Sequence, residues 1–157
     1  MNLKNIALWV GGLFVVGFVG LFWWAQPERQ VRRAQGRFFS TVENRNFEAM
    51  SLLITEDYRD RWQQDKAIVT RGCREVFSQF MMLTIERADS RIERRGDSWE
   101  LREKVTMKGL GGPLAMYARD EVNRLREPFA MTWRRRSWKP WDWELIAVDH
   151  PTLELPR

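Results

Sequence analysis

The hydrophobic positions of this chain fall into three regimes. Between residues 5 and 27 there is no Asp, Glu, Lys, Arg or His. Over Ile6 to Ala25 this predicts an apolar helix about 30 Å long at ~1.5 Å per residue, which matches the hydrocarbon thickness of a bilayer. Trp9 near one end and Trp23 and Trp24 at the other stand where indole rings prefer the headgroup boundary. The bulky exit Phe22-Trp23-Trp24-Ala25 is a poor cleavage site, so the segment is expected to stay as an anchor rather than be removed as a signal peptide. From Glu28 to Arg45 the period becomes helical: Val31, Ala34, Phe38 and Val42 recur three or four apart, and Phe39 widens the stripe. A short helix is expected over Phe47 to Leu53. A third is expected over about Arg71 to Leu83, capped by Thr70, with Val76, Phe77, Phe80 and Met81 as its apolar side.

After the third helix the period drops to two. Trp99, Leu101, Val105 and Met107 share one face of a strand, while Glu100, Arg102, Lys104, Thr106 and Lys108 share the other. Gly96-Asp97 reads as the hairpin turn back from a strand near Thr84 to Arg95. Gly109 to Pro113 is expected to break the sheet, and Ala115 to Leu125 to form either a helix, the favoured reading, or a long irregular excursion between strands. Phe129, Met131 and Trp133 then alternate along a rising strand, Ser137 to Asp142 turns around Pro140, and Trp143 to Asp149 returns. Three helices followed by about four antiparallel strands predict an α+β domain over residues 28–157, its helices on one face of a curved sheet, behind a tail and membrane helix in residues 1–27.

The composition is 44% hydrophobic and 30% charged, which excludes a disordered or fibrous chain. The formal net charge is +5, and Lys4 is the only basic residue ahead of Glu28, so nearly all of it rests on the downstream domain. Arg29, Arg32, Arg33 and Arg37 outnumber Lys4 and favour a cytoplasmic domain, but they equally fit the polar face of the first helix. The expected location is therefore a single pass in the cell (inner) membrane with the side of the domain open. Small residues at Ala7, Gly11, Gly12, Gly17 and Gly20 offer a face for a homodimer or a protein partner within the bilayer.

The element order resembles a known family. A long first helix ends in Phe38-Phe39-Ser40-Thr41-Val42-Glu43-Asn44-Arg45-Asn46-Phe47, two further helices follow, and the closing strand reads Trp143-Glu144-Leu145-Ile146-Ala147-Val148-Asp149. This is similar to the nuclear transport factor 2-like (SnoaL-like, cystatin-like) cone over about Glu28 to His150. The resemblance implies a pocket between the concave sheet and the helices. It selects no activity, because the fold hosts isomerases, dehydratases, adaptors and membrane-anchored assembly subunits. The layout of short tail, one helix and cone is also similar to the bitopic inner-membrane subunit of type IV secretion systems.

An enzyme of this kind needs an ionisable group inside the cone. Glu103 has the strand parity of Leu101 and Val105, which puts one carboxylate on the apolar face. Arg135 continues the parity of Met131 and Trp133, so a Glu103–Arg135 pair is expected, either a structural ion pair at the open end or a ligand-binding or catalytic site. Tyr58 and Trp62 fall in the segment that borders the cone mouth in the family, and with Trp133 they complete the expected pocket. In the run Trp133 to Trp143 the cations Arg134, Arg136 and Lys139, with Trp138, suit an anionic membrane surface; nucleic acid is less favoured, and a plain hairpin with arginines covering tryptophans is the simplest reading. His150 is expected at the surface; Cys73 is expected in the first turn of the third helix, where the dipole and cations would lower its thiol pKa, but with no nearby His as a base it reads as an inert thiol. No nucleotide loop, zincin, hydrolase elbow or metal-ligand cluster occurs in the sequence, so no cofactor is implied. The expected function is a membrane-anchored module that binds a hydrophobic small molecule or a protein partner near the bilayer. The alternative is an isomerase- or dehydratase-type pocket enzyme using Glu103.

Overall fold

The computed structural model describes residues 26–154 and, ahead of them, Gly17 and Gly20. Apart from those two glycines, the expected membrane segment 6–25 lies outside the described residues. Among the described residues no helix is long and apolar enough to cross a membrane.

Helix α1 (Pro27–Glu43) opens with a proline in its first turn, where the missing N–H removes no hydrogen bond, and buries Val31, Ala34, Phe38 and Val42 as the periodicity predicts. Gln30 and Gln35 are buried on the same side. The helix ends at Asn44, and Arg45 adopts a left-handed φ of 56° that swings the chain into α2 (Phe47–Leu52). Asn46 caps α2, its side chain accepting from Ala49 N at 3.1 Å.

Helix α3 runs Lys66–Phe77, about five residues earlier than the hydrophobic spacing suggested. Its cap is Asp65, which accepts from Ile68 N at 2.9 Å, and not Thr70, which lies inside the helix. Phe80 and Met81 consequently belong to the next element, strand β1 (Phe80–Arg95). Strand β2 (Ser98–Gly111) follows a tight turn at Gly96, whose φ is 60°. It does not break at Gly109 as expected; the sheet continues to Gly111, opposite Phe80. Helix α4 (Pro113–Arg124) and strands β3 (Phe129–Arg135) and β4 (Trp143–Asp149) complete the chain.

The sheet is antiparallel in the order β1-β2-β3-β4. Register shifts in β1 at Phe80/Met82 and Ala88/Arg91 curve the long β1–β2 ribbon. Strand β3 is half the length of β2 and pairs with it only from Ser98 to Glu103. Past Glu103, Asn123 of α4 replaces the missing strand by accepting from Met107 N at 2.8 Å and donating to Met107 O at 2.9 Å. Residues 53–59 cover the other edge, with Thr55 N donating to Leu145 O at 3.0 Å and Leu145 N to Leu53 O at 2.7 Å. The main core lies between α1, α2 and residues 54–58 on one side and Leu101, Met131, Trp133 and Leu145 on the other. A smaller cluster of Phe80, Met107 and Ala115 sits under α4.

Candidate functional site: an apolar cavity in the cone

The same shortness of β3 that calls in Asn123 leaves the lower part of the ribbon unfilled. α3 spans this gap, and none of its residues is fully buried, although Val69, Cys73 and Phe77 pack against the core. Between them lies a cavity of about 300 Å³, walled by Phe38, Phe39 and Val42 of α1, by these α3 side chains, and by Ile85, Val105, Met131 and Val148 of the sheet. Small-molecule sites run from roughly 300 to 1,000 Å³, so this cavity is at the compact end.

The polar groups at its wall are few. Tyr58 is 1% exposed and its hydroxyl points to Asp60 Oδ2 at 3.5 Å, while Asp60 Oδ1 accepts from Gln64 N at 2.8 Å. Burial pushes the Tyr58 phenol far above its ordinary range, so it stays protonated and serves as a hydrogen-bond donor. Trp62 closes the rim: its indole N–H donates to Leu153 O at 3.0 Å and draws Leu153 against the cavity. His150 fastens this strap from beneath. It is fully buried rather than at the surface as expected. Its Nδ1 accepts from Leu153 N at 3.1 Å and Thr152 N at 3.3 Å, so the ring proton sits on Nε2, which donates to Glu127 O at 2.9 Å.

Cys73 lines the cavity in the third turn of α3, not the first, where neither the helix start nor an arginine reaches it. Burial pushes its thiol up to about 12 instead of lowering it. The folded thiol is therefore expected to react with Ellman's reagent at pH 8 at least about 100-fold more slowly than the urea-unfolded chain, in proportion to the lost thiolate. Folded and unfolded states differ here with a definite sign. Below the ordinary thiol value of 9.0 both states hold the proton, and the full stabilisation is present. As pH rises from about 9 toward 12 the unfolded thiol ionises and the folded one does not, so stability falls. Tyr58 adds to this loss with the same sign. Thermal melts between pH 8 and 10.5 check it, and Cys73→Ala should remove the thiol's share.

Of the residues singled out from the sequence, Tyr58 and Trp62 line the cavity, and Glu103, Trp133 and Arg135 do not. Glu103 faces inward as its parity predicts and is 5% exposed, but its partner is not Arg135. The register sets Glu103 opposite Phe129, at the far end of β3 from Arg135, whose guanidinium lies over the Trp143 ring at 5.1 Å. Glu103 is held instead by Gln35 Nε2 at 2.7 Å and Arg87 Nη1 at 3.5 Å. Trp133 is fully buried and donates from Nε1 to Gln35 Oε1 at 3.0 Å. Trp133, Gln35, Glu103 and Arg87 thus form one chain of hydrogen bonds joining α1 to the sheet. The signal for Gln35 was present in the sequence, as a polar residue four positions after Val31 on the apolar stripe. Asp60 and Leu153 lie in irregular segments and carried no such signal.

The basic hairpin is divided. Arg134 Nη2 binds Glu144 Oε1 at 2.8 Å and Asp57 Oδ1 at 3.0 Å, and Arg136 Nε binds Glu144 Oε2 at 3.0 Å. The Arg134 guanidinium holds the Asp57 carboxyl down at about 2. Trp138, at 83% exposure, and Lys139 project outward.

No family model matches the chain, and no curated protein does. Solved structures do. A protein assigned as a dehydratase of the nuclear transport factor 2-like family from Streptomyces avermitilis superposes with a TM-score of 0.57 at 18% identity, over 78% of this chain and 93% of that one. A nuclear transport factor 2-like protein of unknown function from Pseudomonas putida gives 0.55 at 14% identity, over 77% and 82%. Bd1075 of Bdellovibrio bacteriovorus gives 0.57 at 8% identity; this chain spans 38% of its length, and the match covers 77% of this chain. At these identities the likeness is one of fold, and the fold of this chain is the nuclear transport factor 2-like, cystatin-like α+β cone.

Proposed function

We propose that the protein is a binding module held at the cell (inner) membrane by residues 6–25, whose cone cavity takes the apolar body of a small hydrophobic ligand. The cavity carries this reading: about 300 Å³ of space walled by aliphatic and aromatic side chains, with the Tyr58–Asp60 pair as its polar corner. The alternative of an isomerase- or dehydratase-type enzyme using Glu103 is less well supported, because that carboxylate is engaged by Gln35 and Arg87 and does not line the cavity.

α-Tetralone, a bicyclic aromatic ketone with one acceptor, is a suitable probe. Added to the full chain in a neutral detergent, it is expected to raise the melting temperature saturably. Val69→Phe and Cys73→Phe, which fill the cavity from two positions, should each abolish that rise. Equal stabilisation of both filled variants would overturn the cavity reading. Proton exchange at the ketone α-carbon in D₂O, followed by NMR, separates binder from enzyme: none above the buffer rate is expected, and catalysed exchange would favour the enzyme.

A further inference from the structure

The outer face of the β1–β2 ribbon carries a second hollow, a cleft of about 370 Å³ lined by Arg91, Arg102, Lys104 and Arg126 together with Asp89 and Glu127. Its charge arrangement works against the fold. Arg91 and Arg102 are direct cross-strand partners, a like-charge pairing that destabilises a sheet. Arg102 is compensated by Glu100, whose Oε1 lies 2.5 Å from its Nε. Arg91, Lys104 and Arg126 make no ion pair or side-chain hydrogen bond with any described residue, and neither do the carboxylates of Asp89 and Glu127. The larger cleft beside α3 is different. It holds about 630 Å³, and three of its four cations are engaged: Lys66 by Glu56 at 2.6 Å, Arg59 by Asp65 at 3.8 Å and Arg74 by the Phe47 ring at 5.9 Å, which leaves Arg71.

The position of the ribbon cleft is as telling as its charge. The edge strand bulges between Ala88 and Arg91, with Asp89 at a φ of 53°. At that bulge the Ser90 hydroxyl accepts from Arg32 of α1. Arg32 is five residues past the start of α1, about 8 Å along the axis at ~1.5 Å per residue. Arg32 thus sets the bulge level with the second turn of α1, the helix that follows the apolar segment 6–25.

We infer that this cleft binds a phosphate-bearing anion, supplied by the headgroup of an acidic phospholipid. Guanidinium groups present paired donors that match phosphate oxygens, and Lys104 adds a point charge. The lipid source rests on the anchored reading given above, which would hold the first turns of α1, and the bulge level with them, near an anionic leaflet. Arg134 and Arg136 of the hairpin, by contrast, already have carboxylate partners.

The test uses the full chain in maltoside micelles at low salt, titrated by calorimetry with dihexanoyl phosphatidylglycerol, dihexanoyl phosphatidylcholine and inorganic phosphate. Saturable binding of phosphatidylglycerol is expected, with none of phosphatidylcholine. Arg91→Ala and Lys104→Ala should each weaken it at least about 10-fold, and Lys139→Ala on the exposed hairpin should leave it unchanged. Equal weakening by Lys139→Ala would mean diffuse surface charge and overturn the site, as would the absence of binding by any anion. Inorganic phosphate bound as tightly as phosphatidylglycerol would overturn the lipid source. Alkaline carbonate extraction of membranes carrying the full chain tests the anchor separately: release into the supernatant sinks the anchored reading, and the titration still decides the cleft.

Discussion

Trp133→Ala is expected to destabilise the domain by about 3–5 kcal/mol, the range for truncating a large buried aromatic. Against a total stability of roughly 5–15 kcal/mol this brings the chain close to unfolding. Two losses combine. The indole is completely buried, packed edge-on against Phe38 with ring centres 6.3 Å apart, and its removal leaves a hole between α1 and the sheet. Its N–H is also the donor to Gln35 Oε1, whose amide in turn holds Glu103. Deleting the donor leaves a buried acceptor unsatisfied, which by itself costs about 1–3 kcal/mol. Trp133→Phe separates the two, because it keeps most of the packing and loses the hydrogen bond, and it should cost about that smaller amount. Urea unfolding followed by circular dichroism gives both values. A loss under 1 kcal/mol for the alanine variant would show that the described packing does not carry the fold.

Gly109→Ala is the second large effect, on the order of 3 kcal/mol or more, from backbone alone. Gly109 has a φ of 154°, and a Cβ built there would lie 2.1 Å from the Met82 carbonyl oxygen. The clash is with backbone, at the register shift between Phe80 and Met82 that curves β1, so the relief is a shift of the strand itself. Gly96→Ala is the control. Its φ is also positive, at 60°, but a Cβ there meets nothing within 4 Å, so the cost should stay near the 1–2 kcal/mol of a left-handed alanine. Equal losses at the two positions in the same urea experiment would remove the argument from close approach.

Local pattern carried much of this fold. The stripe Val31, Ala34, Phe38 and Val42 is a property of one helix, and it appears in α1 as read. The turn at Gly96 and the alternation from Trp99 to Met107 are likewise short-range, since side-chain period and turn chemistry act over a few residues. The start of α3 was misread for a local reason too. Both Asp65 and Thr70 can cap a helix, and Phe80 and Met81 extend the helical spacing past the true end at Phe77, where the strand takes over because Phe80 pairs with Gly111 at the end of β2 and Met81 sits in the bulge that follows.

The candidate site depended on less local quantities. Parity alone placed Glu103 on the inward face, and the structure agrees. Which cation it meets is set by strand register, which put Arg135 at the opposite end of β3 and brought Arg87 and Gln35 to the carboxylate. The cavity arises from a difference in length between β2 and β3 and from how α3 bridges it, and neither is written in any window of residues. His150 follows the same logic: flanked by Asp149 and Pro151 it reads as surface, and only the return of Thr152 and Leu153 over it makes it a buried acceptor. By itself the sequence determined the buried stripe of α1, the turn at Gly96, the alternation of β2 and the α+β class, because periodicity and turn residues act through neighbours in the chain. The tertiary structure alone decided the partner of Glu103, the space inside the cone, the environment of Cys73 and His150, and the gathering of Arg91, Lys104 and Arg126, because these depend on register and packing between segments far apart in sequence.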